Sequence, residues 1–162
     1  MNIPAPRIVE IAPKKLVGKH VITSFAKDNT RQLWQSFMPD RNKIINKVSQ
    51  DLFSLQVYPE GYFSAFDPTI PFKKWALVEV EDHDAIPENM ETFLFTGGLY
   101  AVFNHVGMDT AIFNHIYSIW IPASNYLLDN RPHFEILAEK YKQGNPLSEE
   151  EIWIPIRQKP VQ

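Results

Sequence analysis

One order of hydrophobic periodicities occurs twice along the chain, and that doubling constrains the fold more than any single motif. Residues 7–25 alternate and are β-branched in places (Arg7-Ile8-Val9-Glu10-Ile11, then His20-Val21-Ile22-Thr23-Ser24-Phe25). Pro13 and Gly18 break them, which predicts one kinked strand or two short ones. A helix follows, with Asn29 as N-cap and Gln32 as its capping-box partner. Leu33, Trp34 and Phe37 share a face of that helix, which should kink at Pro39 and be resumed by Ile44, Ile45 and Val48. Strands over 53–58 and 75–80 complete the unit, with loop sequence at Pro59-Glu60-Gly61 and from Pro68 to Pro71. Residues 79–91 hold six acids and Pro87, a solvated connection. The order then recurs: a strand over 91–106 interrupted at Gly97-Gly98, a helix capped by Asp109 and ended by Pro122, and strands over 134–139 and 151–157. Two helices and about eight strands, without the regular crossover helices of a parallel sheet, predict an α+β fold with an antiparallel sheet. The helices should cover one face of it. Residues 1–162 then read as one domain with halves at about 7–81 and 91–157.

Composition narrows the function. With 44% apolar and 22% charged residues among 162, the chain is globular, and without Cys it has no disulfide, thiol nucleophile or Cys-based zinc site. A net charge of −3 argues against a general nucleic-acid binder, although residues 1–50 hold nine Lys/Arg against three acids. Those basic residues are scattered over strand and helix patterns, as on a solvated face. No apolar run approaches the roughly 20 residues that cross a bilayer. The expectation is a soluble cytoplasmic domain with no membrane or direct nucleic-acid partner and no cofactor. His105 with Asp109, and His83 with Asp82 and Asp84, lack the ligand number of a metal site, so none is expected.

Strand alternation sorts side chains by face. Ile152, Ile154 and Ile156 suit packing under helices, with Trp153 among their alternates; likewise Leu99, Ala101 and Phe103 oppose Tyr100 and Val102. If Phe134 and Ile136 also face the helices, His133, Glu135 and Leu137 point away. Adding Tyr58 and Trp75 collects Tyr58, Trp75, Tyr100, Val102, Trp153, Glu135 and Leu137 on the uncovered face. Solvent-facing rings in that number mark a binding surface, or a second small core closed by loops or a partner. Glu135 is either the anion of that surface or a strand residue paired with a neighbouring Lys.

The segment Gly97-Gly98-Leu99-Tyr100-Ala101-Val102-Phe103-Asn104-His105-Val106-Gly107 resembles the hallmark of the GyrI-like, or AraC-type effector-binding, family. Residues Ile116 to Ser124, Arg131-Pro132-His133-Phe134-Glu135 and Glu150 to Ile156 are similar to its helix-ending, "rp-x-fE" and closing segments. Residues 93–157 carry the match; Leu33-Trp34 with Phe37, and Leu55 to Tyr58, extend it less specifically. The resemblance implies duplicated βαββ (SHS2-like) modules with a ligand groove between them, here expected on the face away from the helices. It also implies lipophilic, often cationic or aromatic, small-molecule ligands. Members include effector domains of transcription regulators, stand-alone binding proteins, gyrase inhibitors and a branch of hydrolases. On this reading Glu135 attracts a cation while Tyr100, Trp153, Trp75 and Tyr58 stack on it and Val102 and Leu137 line the groove. In the hydrolase alternative Glu135 activates water against a strained ring; in a third, the acidic surface meets a protein partner. Leu137 departs from the family pattern, which often has Tyr two positions after the Glu.

Overall fold

We describe residues 3–107, 109–138 and 147–161 of a computed structural model. The first alternating run becomes two strands, β1 (Arg7–Ile11) and β2 (Lys14–Thr23), divided at Pro13. Helix α1 (Thr30–Asp40) follows with Asn29 at the expected N-cap position, but its side chain makes no capping hydrogen bond. Asp28 Oδ1 accepts the Thr30 amide at 2.9 Å, while the Asn29 side chain donates back to the Ile22 carbonyl. Leu33 and Phe37 are buried against Val17, Ala76, Val78 and Val80, each ring or branched side chain contributing roughly 1.5–3 kcal/mol. Pro39 lies in the last turn, and a single 3-10 turn (Arg41–Lys43) ends the helical path. The expected resumption does not occur. Ile44 is buried, but Ile45 and Val48 are exposed, because the Val48 amide bonds to the Glu79 carbonyl instead.

Strands β3 (Leu52–Val57) and β4 (Phe72–Glu79) complete this half, and β5 (Glu91–Phe95) and β6 (Gly98–Val106) open the next. Helix α2 (Ala111–His115), with Asp109 Oδ1 on the Ala111 amide, runs on through a π-helical segment (Ile116–Trp120) into a final turn (Ile121–Ala123) around Pro122. A short strand unmarked in the periodicity, β7 (Tyr126–Leu128), precedes β8 (His133–Leu137) and β9 (Glu149–Gln158).

All pairings are antiparallel, in the order β1-β6-β9-β8-β3-β4-β2-β5, with β7 also on β9. Each half has one internal pattern: its first long strand pairs with its last, and its last with its middle one (β2-β4-β3 and β6-β9-β8). The middle strands β3 and β8 join the halves. The leading strands are exchanged, β1 pairing with β6 and β5 with β2. Helix α1 lies over β2 and β4, and the α2 helical path packs on Ala101, Phe103, Ile152, Ile154 and Ile156. Both helices are on one face, as expected, and flank the β3/β8 seam.

The other face is not a groove. The sheet curls until Phe95 of β5 meets Tyr100 and Phe134 at ring distances of 5.9 and 5.3 Å, although β5 and β6 stand near opposite ends of the strand order. Phe134 stacks on Trp153 at 5.2 Å, and Leu16, Phe53, Leu55, Trp75, Leu77 and Val102 fill the remaining space. Twist and curl have turned this face into a packed interior. The expectation of a ligand groove opposite the helices is therefore overturned.

Candidate functional site

Register decides which residues can meet. Phe134 lies opposite Trp153 and Leu55, and Leu55 lies opposite Trp75, so these side chains point inward together. Glu135 lies opposite Ser54 and Ile152, on the helix face. The expected convergence of Glu135 with Trp75, Tyr100, Val102 and Trp153 is thus corrected: those four are interior. Tyr100 is fully buried and its hydroxyl donates to the Pro132 carbonyl at 2.8 Å. Trp153 Nε1 donates to Glu151, and Trp75 Nε1 is buried with no partner. Tyr58, Glu135 and Leu137 share the opposite face. Leu137 lies opposite Leu52, farther along β8 from Tyr58.

Between the helices, the seam carries two rows of side chains: Lys74, Gln56 and His133 across β4, β3 and β8, and Ala76, Ser54 and Glu135 beside them. Ala76 packs under α1, while the rest of these rows lies between the helices, where polar residues can occupy them. Gln56 Nε2 donates to Glu135 Oε2 at 3.0 Å. Burial raises the Glu135 carboxyl above its ordinary range, opposed by the charge of Lys74 and the bond from Gln56. Among the described residues no ion pair engages Glu135, and its side-chain partner is a neutral amide.

Aromatic rings gather at one end of the seam. The Tyr117 hydroxyl, from the π-helical segment, lies 3.0 Å from His133 Nδ1. Burial drives the His133 ring down to about 3, so it is neutral and can accept that hydroxyl's proton in a hydrogen bond. Tyr58 stands edge-on to His133 at 4.9 Å, and burial together with the Glu135 charge holds the Tyr58 and Tyr117 hydroxyls protonated. The loop after β3 adds Tyr62 and Phe63, and with Ile121 and Leu128 these rings line a cavity of about 370 Å³. Glu135 is not in the cavity wall; it lies two residues along β8 from His133, on the same face.

Strand alternation does single out Glu135 and Tyr58. It also places His133 on their face, but it does not reveal Tyr117, Tyr62 or Phe63 as neighbours, since these come from a helix and a loop that only tertiary packing unites. One signal was present: Tyr117 follows Phe113 by four residues, which extends the apolar helix face toward the seam. His105 and His83 make local contacts, with Glu150 Oε1 and the Leu16 carbonyl, both at 3.1 Å.

The hallmark glycines and Arg131 have a structural task. Arg131 donates to the Gly97, Leu99 and Ile156 carbonyls and to Asp129, and its guanidinium lies 4.8 Å over the Tyr100 ring. Gly98 has φ 122°, and a Cβ there would overlap the Arg131 guanidinium. The segment that carries the resemblance thus builds a clasp between β6, β9 and the turn before β8.

The sequence pattern of integron-associated effector-binding proteins matches residues 7–156. The chain belongs to this family. An integron cassette protein from Vibrio cholerae is 18% identical and superposes with a TM-score of 0.65, over 96% of this chain and 97% of that one. SAV2435, in a structure bound to tetraphenylphosphonium, is 12% identical with a TM-score of 0.65, over 94% and 93%. The EcmrR C-terminal domain is 13% identical with a TM-score of 0.69, over 95% and 98%. At such identities these likenesses show a common fold. No curated protein matches the chain significantly. Among the described residues no helix is long and apolar enough to cross a membrane.

Proposed function

We propose that this effector-binding protein takes small lipophilic cations bearing aromatic rings into the furrow at the end of the β3/β8 seam, between the α2 helical path and the loop after β3. One observation carries the reading: a half-buried carboxylate, Glu135, whose side-chain hydrogen-bond partner is neutral, lies on the same face as a cluster of rings and two residues from its His133. Burying a carboxylate is costly, and a cation brought alongside it recovers part of that cost. Tyr58 and Tyr117 add cation–π attraction of roughly 0.5–2 kcal/mol per well-placed ring. Their flat surfaces favour stacking over a fixed hydrogen-bond pattern, hence breadth over narrow selection. The tetraphenylphosphonium held by SAV2435 is a ligand of this chemistry, and it supports the choice of probe.

Titration calorimetry tests this with tetraphenylphosphonium and with neutral triphenylphosphine oxide. Glu135→Gln should weaken the cation about tenfold, or about 1.4 kcal/mol, and leave the neutral compound within about twofold. Equal losses for both would remove Glu135 from the electrostatics of the site. Cation affinity should also fall as the pH drops through the raised Glu135 value, since only the carboxylate attracts the ligand.

A further inference from the structure

Phe63 occupies the place in the furrow where a guest ring would lie. Its ring is 4.9 Å from Tyr117 at 24° and 5.1 Å from His133 at 18°, so it lies flat over both. Tyr58 and Tyr62 stand edge-on to it, each at 5.0 Å. Four rings thus box in one side chain that is still 38% exposed. The loop that brings it there is lightly tied through its backbone, and its side-chain anchors are Tyr62, buried on Tyr58 and Phe72, and Phe66 on Phe25. The backbone bonds of residues 59–67 close within the loop, Tyr62 to Pro59 and Ser64 to Gly61, until the Pro68 carbonyl accepts the Ala26 amide. Two residues before Phe63, Gly61 has φ 79° and open space around it. Segments with few backbone bonds to the rest of a fold open at low free-energy cost, and such a glycine absorbs the change of direction.

We propose that Phe63 is a displaceable internal occupant of the aromatic end of the furrow, swinging out on the 59–67 loop when a ligand's aryl ring takes its place over Tyr117 and His133. The proposal rests on the cation-binding reading and adds to it a mechanism of entry and a demand on the guest: a planar ring, replacing one already there. The ligand competes with Phe63, so observed affinity is the intrinsic affinity reduced by the fraction of molecules in which the ring is in place. A fixed wall would behave oppositely, because removing it takes contacts from the ligand.

Calorimetry with tetraphenylphosphonium on the full chain separates the two. As a displaced occupant, Phe63→Ala should bind about fivefold to tenfold tighter and Phe63→Trp, with a larger ring to expel, weaker than the parent. Weaker or unchanged binding in Phe63→Ala would overturn the proposal. A ligand-free measurement stands beside it: NMR titration of the His133 ring, which the Phe63 cover helps keep dry. Its midpoint should rise in Phe63→Ala, and an unchanged midpoint would also overturn the proposal. Absence of binding to parent and variants alike, with the His133 midpoint still raised, would sink the cation-binding reading while leaving Phe63 as the cover of that ring.

Discussion

At residue 135 burial and charge oppose each other. The raised carboxyl means that, just above 4.5, the folded chain keeps a proton the unfolded chain has released, so stability falls as pH rises through that window. Glu135→Gln removes this cost and keeps an oxygen for Gln56. In thermal denaturation at about pH 8 the variant should therefore melt higher, by about 2–4 °C for each kcal/mol recovered. A lower midpoint would show that the charge stabilises the fold. His133 has the opposite sign. Its folded value of about 3 lies below the ordinary 6.5, so the unfolded chain binds a proton that the folded ring refuses. The stability it contributes is present above 6.5 and is lost as pH falls toward 3. His133→Asn should flatten the dependence of melting temperature on pH between about 7 and about 5, and an unchanged slope would place a charged imidazole in the native protein.

At the scale of elements, alternation is readable but its sign is not. It correctly separates Ala76 and Val78 from Trp75 and Leu77, and the Ile152 set from Trp153, since both members of each pair are consistent with a helix over the smaller or branched side. For β8 the same logic inverts. Phe134 and Ile136 are the apolar set, yet they face the interior, because β8 lies between the helices and its helix-side residues His133 and Glu135 are polar. Trp and Tyr mislead in the same way: polar tips suggest exposure, but Tyr100 finds the Pro132 carbonyl inside. The clasp built by Arg131 is hidden from periodicity altogether, since its three carbonyl partners lie on two strands and the turn between β5 and β6. Arg131→Ala strands those buried carbonyls and should cost about 3–5 kcal/mol, measured by denaturant unfolding. A cost below about 1 kcal/mol would mean that water replaces the guanidinium.

For the whole molecule, the doubled order of elements was legible because each half repeats one hydrophobic rhythm. The reciprocal loan of β1 and β5 was not, because pairing partners more than 70 residues apart leave no mark in local pattern. Opening either half strips a strand from the other, so unfolding should be a single transition, with calorimetric and van't Hoff enthalpies equal. Two separated transitions would contradict that coupling. The loan also bears on how one protein accommodates guests of different bulk. Halves that hold each other's outer strands cannot slide apart to widen the space between their helices. Adjustment to size then falls to the padding, a short loop and a few rings, while the frame stays still.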